Sequence, residues 1–409
     1  MLGEVAVSDT GLGAPIDDTA SGAPPVWLIF SVTVTGILAN TMLSPVIPDV
    51  LSDLGVADDR AGLLVSAGTL PGIVMAPAIG LMADRFGRKR VLIPCLSTFG
   101  VFGLVAAAAP TFPTLLLARF GQGLGSAGLI NLAVVIIGDH WEGEERTKLV
   151  GRNAAVLTAS LALFPPLAGV LSDIGGWRVA FLPYGIGLVT AGLIWRRLPE
   201  FRPGGDDKFS EQLAGARKVI AKPVILATLA TGFVLFVCIF GLFLTTMPVH
   251  LEEEFGLSAS ARGLIIAVPA IPSTLVALNL ATVRRRLGLR RLVVFAAVLF
   301  TVAFFIIGRT DLLIVLCLGA AIYGIAEGVF IPTLQDVASS ASPPEQRGAV
   351  VAVWVGAARA GQTTGPLAAG ALFAATSTNT TFLAGAGLTA LLGVFLFFGP
   401  LRESRVTSG

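Results

Sequence analysis

Twelve stretches of this chain stay apolar for long enough to cross a bilayer, and few folds are compatible with that. They lie near residues 26–48, 61–83, 91–109, 113–138, 149–171 and 178–197, then 223–249, 261–282, 292–308, 311–338, 347–374 and 381–401. About 18 apolar residues suffice to span the hydrocarbon as a helix. Helices satisfy their own backbone polar groups there, so the runs read as an all-α membrane protein. Only 13% of the 409 residues are charged, 54% are hydrophobic, and mean hydropathy is +0.84. A soluble domain carries roughly 25% charged residues. The few charges cluster between the runs, which excludes an aqueous globule.

The distribution of the basic residues sets an orientation. With a cytoplasmic N-terminus, the cytoplasmic segments hold 22 of the 28 Lys and Arg, and the outer loops hold four: Arg60, Arg178, Arg262 and Arg309. That asymmetry predicts both termini in the cytoplasm of a multi-pass protein of the cell or inner membrane. The first 25 residues contain no Lys or Arg, so they lack the basic start of a secretory signal and read as a cytoplasmic tail. The one long polar interruption runs from Arg196 to Lys222 and carries Pro199, Pro203, Gly204 and Gly205. The expected organisation is a tail (1–25), a six-helix half (26–198), a cytoplasmic linker (199–222), a second six-helix half (223–402) and a short tail (403–409). Cys95, Cys238 and Cys317 fall inside apolar runs without metal-ligand spacing and read as buried thiols. His140 and His250 lie far apart, so no histidine metal cluster is expected.

The halves repeat. Asp84-Arg85-Phe86-Gly87-Arg88-Lys89-Arg90 follows the second span, and Arg285-Arg286-Leu287-Gly288-Leu289-Arg290-Arg291 follows the eighth. Two pseudo-symmetric halves point to a duplicated transporter with its substrate path between them near mid-membrane. The first copy, with Gly80, Asp84, Arg85, Gly87 and Arg88 in place, resembles the loop between helices 2 and 3 of the major facilitator superfamily. A positive-inside cluster alone accounts for the arginines but not for Gly80, Asp84 and Gly87. Gly80 is expected to let helices approach closely, Asp84 to cap a helix start and pair with an arginine, and Gly87 to make the turn. The resemblance implies a gating loop that latches the halves when the transporter faces outward. It also implies the major facilitator fold of 12 transmembrane helices, a monomer, no cofactor, and a proton gradient as energy source. The second copy has Arg285 in place of Asp84, which puts its latch role in doubt.

Charges inside spans mark the candidate site, because each must face protein or water rather than lipid. Arg119, Gln122 and Ser126 share one face of the fourth span. They resemble the family's second motif, which implies proton transfer; the alternative is a structural arginine satisfied by helix-1 carbonyls that Pro45 and Pro48 leave free. Helix 1 offers Thr33, Asn40 and Ser44 on one side, with Asn40 the better candidate to line a cavity and Thr33 expected to bond its own backbone. Glu327 lies mid-span in the tenth helix, with Tyr323 one turn before it and within reach of a hydrogen bond. Arg359 and Gln362 lie in the eleventh, and with Gln122 and Tyr323 they are expected to line the substrate cavity beside Asn40. A carboxylate withdrawn from water holds its proton more readily and can exchange it near neutral pH. Glu327 therefore reads as a proton-coupling residue, as half of a static pair with Arg359, or as a binder of substrate cations. Asp49 and Asp336 lie nearer span ends and are expected to be solvated.

The fifth span carries Phe164-Pro165-Pro166-Leu167-Ala168-Gly169, followed by Gly176-Trp177-Arg178. This partly resembles the glycine- and proline-rich motif of twelve-helix drug:proton antiporters, with Phe164 and Ala168 replacing two of its glycines. The resemblance implies proton-coupled efflux of lipophilic small molecules. Two intramembrane arginines against one glutamate leave an organic anion, sugar or other metabolite as the alternative cargo, and a transport-inactive sensor as a third reading. The sequence shows no nucleophile–base set, metal cluster or phosphate loop, so an enzyme is not expected, nor is a nucleic-acid partner. The expected partners are a small-molecule substrate, protons and the lipid bilayer.

Overall fold

The computed structural model describes residues 23–200, 219–341 and 346–401. Most of the linker and the outer parts of both tails therefore lie outside the described residues. Twelve helical spans run through the rest. The first six are α1 (Val26–Asp53), α2 (Asp58–Phe86), α3 (Arg88–Ala107), α4 (Phe112–His140), α5 (Gly143–Gly175) and α6 (Trp177–Arg197). The second six are α7 (Pro223–Glu253), α8 (Ala259–Leu287), α9 (Leu289–Ile307), α10 (Leu313–Ser340), α11 (Arg347–Ala375) and α12 (Thr378–Phe398). Eleven are long and apolar enough to cross a membrane on their own. The other, α11, has 29 residues but gives up apolarity to Arg359, Gln362, Thr363, Thr364 and a run of small residues.

Several spans are broken where the chain dictates it. In α1 a short 3-10 turn, Ser44–Val46, follows Thr41 at the Pro45 and Pro48 pair. In α6 a similar turn, Leu182–Gly185, contains Pro183. A stretch of wider π-helix, Cys238–Thr246, interrupts α7. Such breaks free backbone groups, which a membrane tolerates only where protein or water can satisfy them.

The two halves repeat in backbone as well as sequence. Gly87 turns α2 into α3 with φ 97° and ψ 147°, and Gly288 turns α8 into α9 with φ 73° and ψ 158°. Both φ values are in the range that only glycine adopts easily. These two turns mark the basic end of the molecule, where Arg85–Arg90 and Arg284–Arg291 lie.

The halves meet closely at the opposite end. There α5 and α8 approach backbone to backbone: a Cβ on Gly169 would lie 2.2 Å from the Ala259 carbonyl oxygen, and one on Gly263 would lie 2.3 Å from that of Pro165. In the same way α2 meets α11 at Gly62 (2.2 Å to the Pro366 carbonyl oxygen). One apolar core continues across this end and includes Met42, Val46 and Leu51 of α1 with Met247, Val249 and Leu251 of α7. The basic end of the first half has a separate core of Leu28, Ile29, Leu92, Leu96, Leu132 and Ile136. From Ala270 to Leu287 only Ala270 of α8 is buried, and toward the basic end that helix is held mainly by α10 of its own half, where Arg284 pairs with Asp336. The molecule is closed at one end and open at the basic end.

Candidate functional site

The candidate site is the layer where closure gives way to opening. In the first half it is organised by Arg119 of α4, which is fully buried. Its guanidinium donates from Nη1 to the Gln122 side-chain oxygen and rests against Gly68 of α2, where a Cβ would come within 2.9 Å of Nη2. Nε and Nη2 have no hydrogen-bond partner among the described residues, and neither has the Gln122 amide nitrogen or the Asn40 side-chain oxygen. Tyr184 of α6 stands beside Arg119, and its hydroxyl donates to the Ala39 carbonyl of α1 (3.3 Å). A buried cluster with three unspent donor groups and one unspent acceptor is set to receive water or a ligand's polar atoms.

The expected helix-1 carbonyl partner for Arg119 is not the one observed. The Pro45 carbonyl accepts from Arg262 of α8 instead (2.9 Å), because the break in α1 lies toward the closed end, beyond Arg119. Thr33 also departs from expectation: its hydroxyl donates to Asn153 of α5 (2.6 Å) rather than to its own helix. Ser126 bonds the Gly123 carbonyl (3.3 Å).

Arg359 of α11 bridges the halves. Its Nη1 donates to the Gln362 side chain (3.1 Å), and its Nη2 donates to the Ala127 carbonyl of α4 (3.1 Å). Beside it, Ser66 donates to the Thr363 carbonyl (2.7 Å), and Thr363 donates to Thr69 (3.1 Å). Thr69 is also bonded to the Gln362 carbonyl (3.3 Å). α2, α4 and α11 are thus stitched together at this level. Every hydrogen bond between the halves among the described residues lies from here to the closed end.

Glu327 of α10 forms neither the static pair with Arg359 nor the hydrogen bond with Tyr323. Both expectations are corrected for physical reasons. Arg359 is occupied by Gln362 and Ala127, across the interface rather than within its own half. Tyr323 turns into the aromatic core of the second half, stacked on Phe243 at 4.2 Å between ring centroids and edge-on to Phe300. It is 1% exposed, so it is a core residue here rather than a cavity-lining one. Glu327 sits between Gly324 and Gly328, whose missing side chains let α10 lie against α8; Cβ atoms there would come within 2.4 Å of the Pro269 carbonyl oxygen and 2.5 Å of that of Ser273. Glu327 is partly exposed and belongs to no ion pair among the described residues.

The loop at the basic end is held within the first half. Arg88 pairs with Asp84 and, at 2.8 Å, with Asp139 at the end of α4. Asp84 and Arg85 are exposed. Gly87 makes its expected turn, but Gly80 has open space where a Cβ would be. Its expected role in close helix approach is not met in this open arrangement.

At the closed end the structure assembles residues that spacing did not reveal. Arg262, counted in sequence as an outer-loop charge, is 1% exposed and pairs with Asp49 of α1 at 2.7 Å. Asp49 also accepts from Ser172 of α5 (3.1 Å), so it is not the freely solvated group expected. Asp173 of α5 accepts from the backbone N–H groups of Ala259 and Ser260 at the start of α8 (both 3.1 Å). Asp336 is exposed, as expected, and pairs with Arg284.

The sequence profile of the Major Facilitator Superfamily matches residues 29–278 and 240–409, two overlapping stretches that together cover nearly the whole chain. The chain belongs to the major facilitator superfamily. It is therefore a multi-pass membrane transporter of small molecules, not an enzyme. It is 27% identical over 252 residues to the bacillibactin exporter of Bacillus subtilis, a match covering 59% of this chain and 62% of that protein. It is 28% identical over 363 residues to the 3-(3-hydroxy-phenyl)propionate transporter of Escherichia coli, covering 85% and 84%. In fold it is similar to the crystal structure of a bacterial homologue of the human lysosomal transporter Spinster, in an inward-facing and unoccupied conformation. The TM-score is 0.74 and the identity 19%, over 91% of this chain and 95% of that one.

Proposed function

We propose that this transporter exports lipophilic small molecules in exchange for protons, by alternating access between its two six-helix halves. The basic end is then cytoplasmic, with both termini on that side, and the arrangement described is inward-facing. The observation that carries the reading is Glu327, a carboxylate in the middle of a span, partly exposed and without an ion-pair partner among the described residues. A carboxylate placed there can bind a proton in one arrangement and release it in the other, which is what coupling requires. The relation to an exporter of B. subtilis supports the direction.

In this reading Arg119, Gln122 and Asn40 form the polar contact of the first half. Arg359 and Gln362 hold the mid-membrane seam and change partners when the cavity turns outward. Gly80, Asp84, Arg85, Gly87 and Arg88 form the loop that latches the basic end when it closes. No cofactor is called for, since the proton gradient supplies the energy. Arg119 and Arg359 favour a second reading, in which the cargo carries an anionic group, and the relation to an aryl-propionate transporter accords with it.

The experiment is transport in proteoliposomes with an imposed pH gradient, for the wild type and Glu327→Gln. Efflux of a lipophilic dye that follows the gradient in the wild type and is uncoupled in the variant supports the proposal. Unchanged coupling in the variant removes Glu327 from the mechanism. Saturable uptake of an aryl carboxylate without dye transport favours the second reading.

A further inference from the structure

On the lipid-facing side of the second half, far from the opening, a groove of about 330 Å³ runs between α9 and α12. Val294, Val298 and Val302 form one wall at helical spacing, and Val394, Phe397 and Phe398 form part of the other. Gly393 supplies the floor, with only Ala297 near where its Cβ would be (3.5 Å). Thr301 and Thr389, the polar residues of the lining, spend their hydroxyls on each other (3.0 Å) and on helix carbonyls. The wall offered to an occupant is therefore apolar. From residue 294 to 302 it extends about 12 Å at 1.5 Å per residue.

The groove ends at a charge. Arg290 lies one helical turn before Val294 on the same face of α9. Its guanidinium rests over the Phe397 ring at 4.7 Å and donates from Nη2 to the Phe397 carbonyl. That contact caps the end of α12, yet it leaves Nε buried and without a partner. Arg291 is exposed beside it, and among the described residues neither arginine has an acidic partner. An apolar trough open to the bilayer, with arginines at the headgroup end that have no acidic partner among the described residues, matches a lipid in both parts.

We propose that this groove is a binding site for an anionic phospholipid of the leaflet at the basic end, an acyl chain lying along Val294–Val302 and the phosphate meeting Arg290 and Arg291. A second copy of the chain fits less well. A two-fold partner in the same membrane would bring its own Arg290 and Arg291 to the same level, like charge against like charge.

Native mass spectrometry of the full chain, purified with equimolar phosphatidylglycerol and phosphatidylcholine, tests the proposal. The wild type is expected to retain phosphatidylglycerol about thirtyfold better, the scale set by two arginines near the membrane surface. Arg290→Gln should remove most of that preference while phosphatidylcholine retention stays. Gly393→Leu, or Val298→Phe if the first variant does not fold, should reduce retention of both lipids by filling the trough. Equal retention of the two lipids by the wild type, or a preference untouched by Arg290→Gln, overturns the proposal. So does a dimer that is lost on filling the groove and carries no lipid.

Discussion

Arg262 of α8 reaches across the closed end to α1, donating from Nε to the Pro45 carbonyl (2.9 Å) and from Nη2 to Asp49 (2.7 Å). The carbonyl is available because the proline-broken turn of α1 leaves it outside the helical pattern. The bond ties the break in one half to the start of a helix in the other. Arg262→Ala should therefore loosen the closed end, by about 1–3 kcal/mol for a lost charge-assisted contact. That shifts the ratio of closed to open molecules toward open by roughly fivefold to a hundredfold. Thiol labelling of a cysteine placed at the outer end of α1 is the check: faster labelling in the variant is expected, and an unchanged rate contradicts the gate.

Gly169 and Gly263 make the α5–α8 contact possible from either side, since each Cβ would strike a carbonyl of the other helix. Valine at either position should cost about 1–3 kcal/mol in the closed arrangement through overpacking. Spin labels at the outer ends of α5 and α8 should move apart in both variants. A distance distribution like that of the wild type would show that the helices repack around the added side chain.

Gly80 gives the opposite pattern. With open space around it, Gly80→Leu should leave the stability of this arrangement within about 0.5 kcal/mol, as surface substitutions usually do. Transport should nonetheless fall severalfold if the basic end packs there when it closes. Thermal unfolding in detergent alongside a flux assay separates the two effects, and full transport by the variant would rule out close approach at this glycine.

Removing the Arg359 guanidinium breaks the bond to Ala127 that joins α11 to α4. Arg359→Ala should lower thermal stability, by about 1–3 kcal/mol for a buried carbonyl left unpaired. Arg359→Lys should rescue it only in part, because a single ammonium does not reproduce the fork that reaches both Gln362 and Ala127. Equal stability of all three proteins would show that water takes over the carbonyl.

The pH dependence of substrate binding follows from the proposed role of Glu327. Where proton and a cationic ligand compete for the carboxylate, apparent affinity rises with pH in the wild type as the proton leaves. Glu327→Gln stays neutral at every pH, so its affinity should be lower and flat. Isothermal titration across neutral pH reads both features, and a slope retained in the variant would assign the titration to another group.

The spans were legible because the membrane imposes one strong rule on sequence: hydropathy marks eleven of the twelve, and the repeat of the six-helix half supplies α11. Their ends were less so: α5 begins at Gly143 rather than near 149, since a helix can continue past the apolar run that reveals it. Gly87 was readable because its φ is a local property. The network around the site was not, because its partners are remote in sequence. Arg262 and Pro45 are 217 positions apart, and Arg359 and Ala127 are 232 apart. Tyr323 shows the same limit within one helix. Its spacing from Glu327 allowed a hydrogen bond, but Phe243 and Phe300 from two other helices decided which way the ring went. Tyr184 gave no signal at all, being a single tyrosine in an apolar run.

The modest apolarity of α11 bears on how the chain is made. A segment carrying Arg359, Gln362 and two threonines gains little by entering lipid alone, since a central arginine alone costs about 2.5–3.5 kcal/mol on insertion scales. Its favourable environment consists of the glycine-lined faces of α2 and α7, which emerge from the ribosome earlier. The polar seam that closes the transporter thus also sets the order of its biogenesis: α11 settles in the membrane only once the helices that receive it are there.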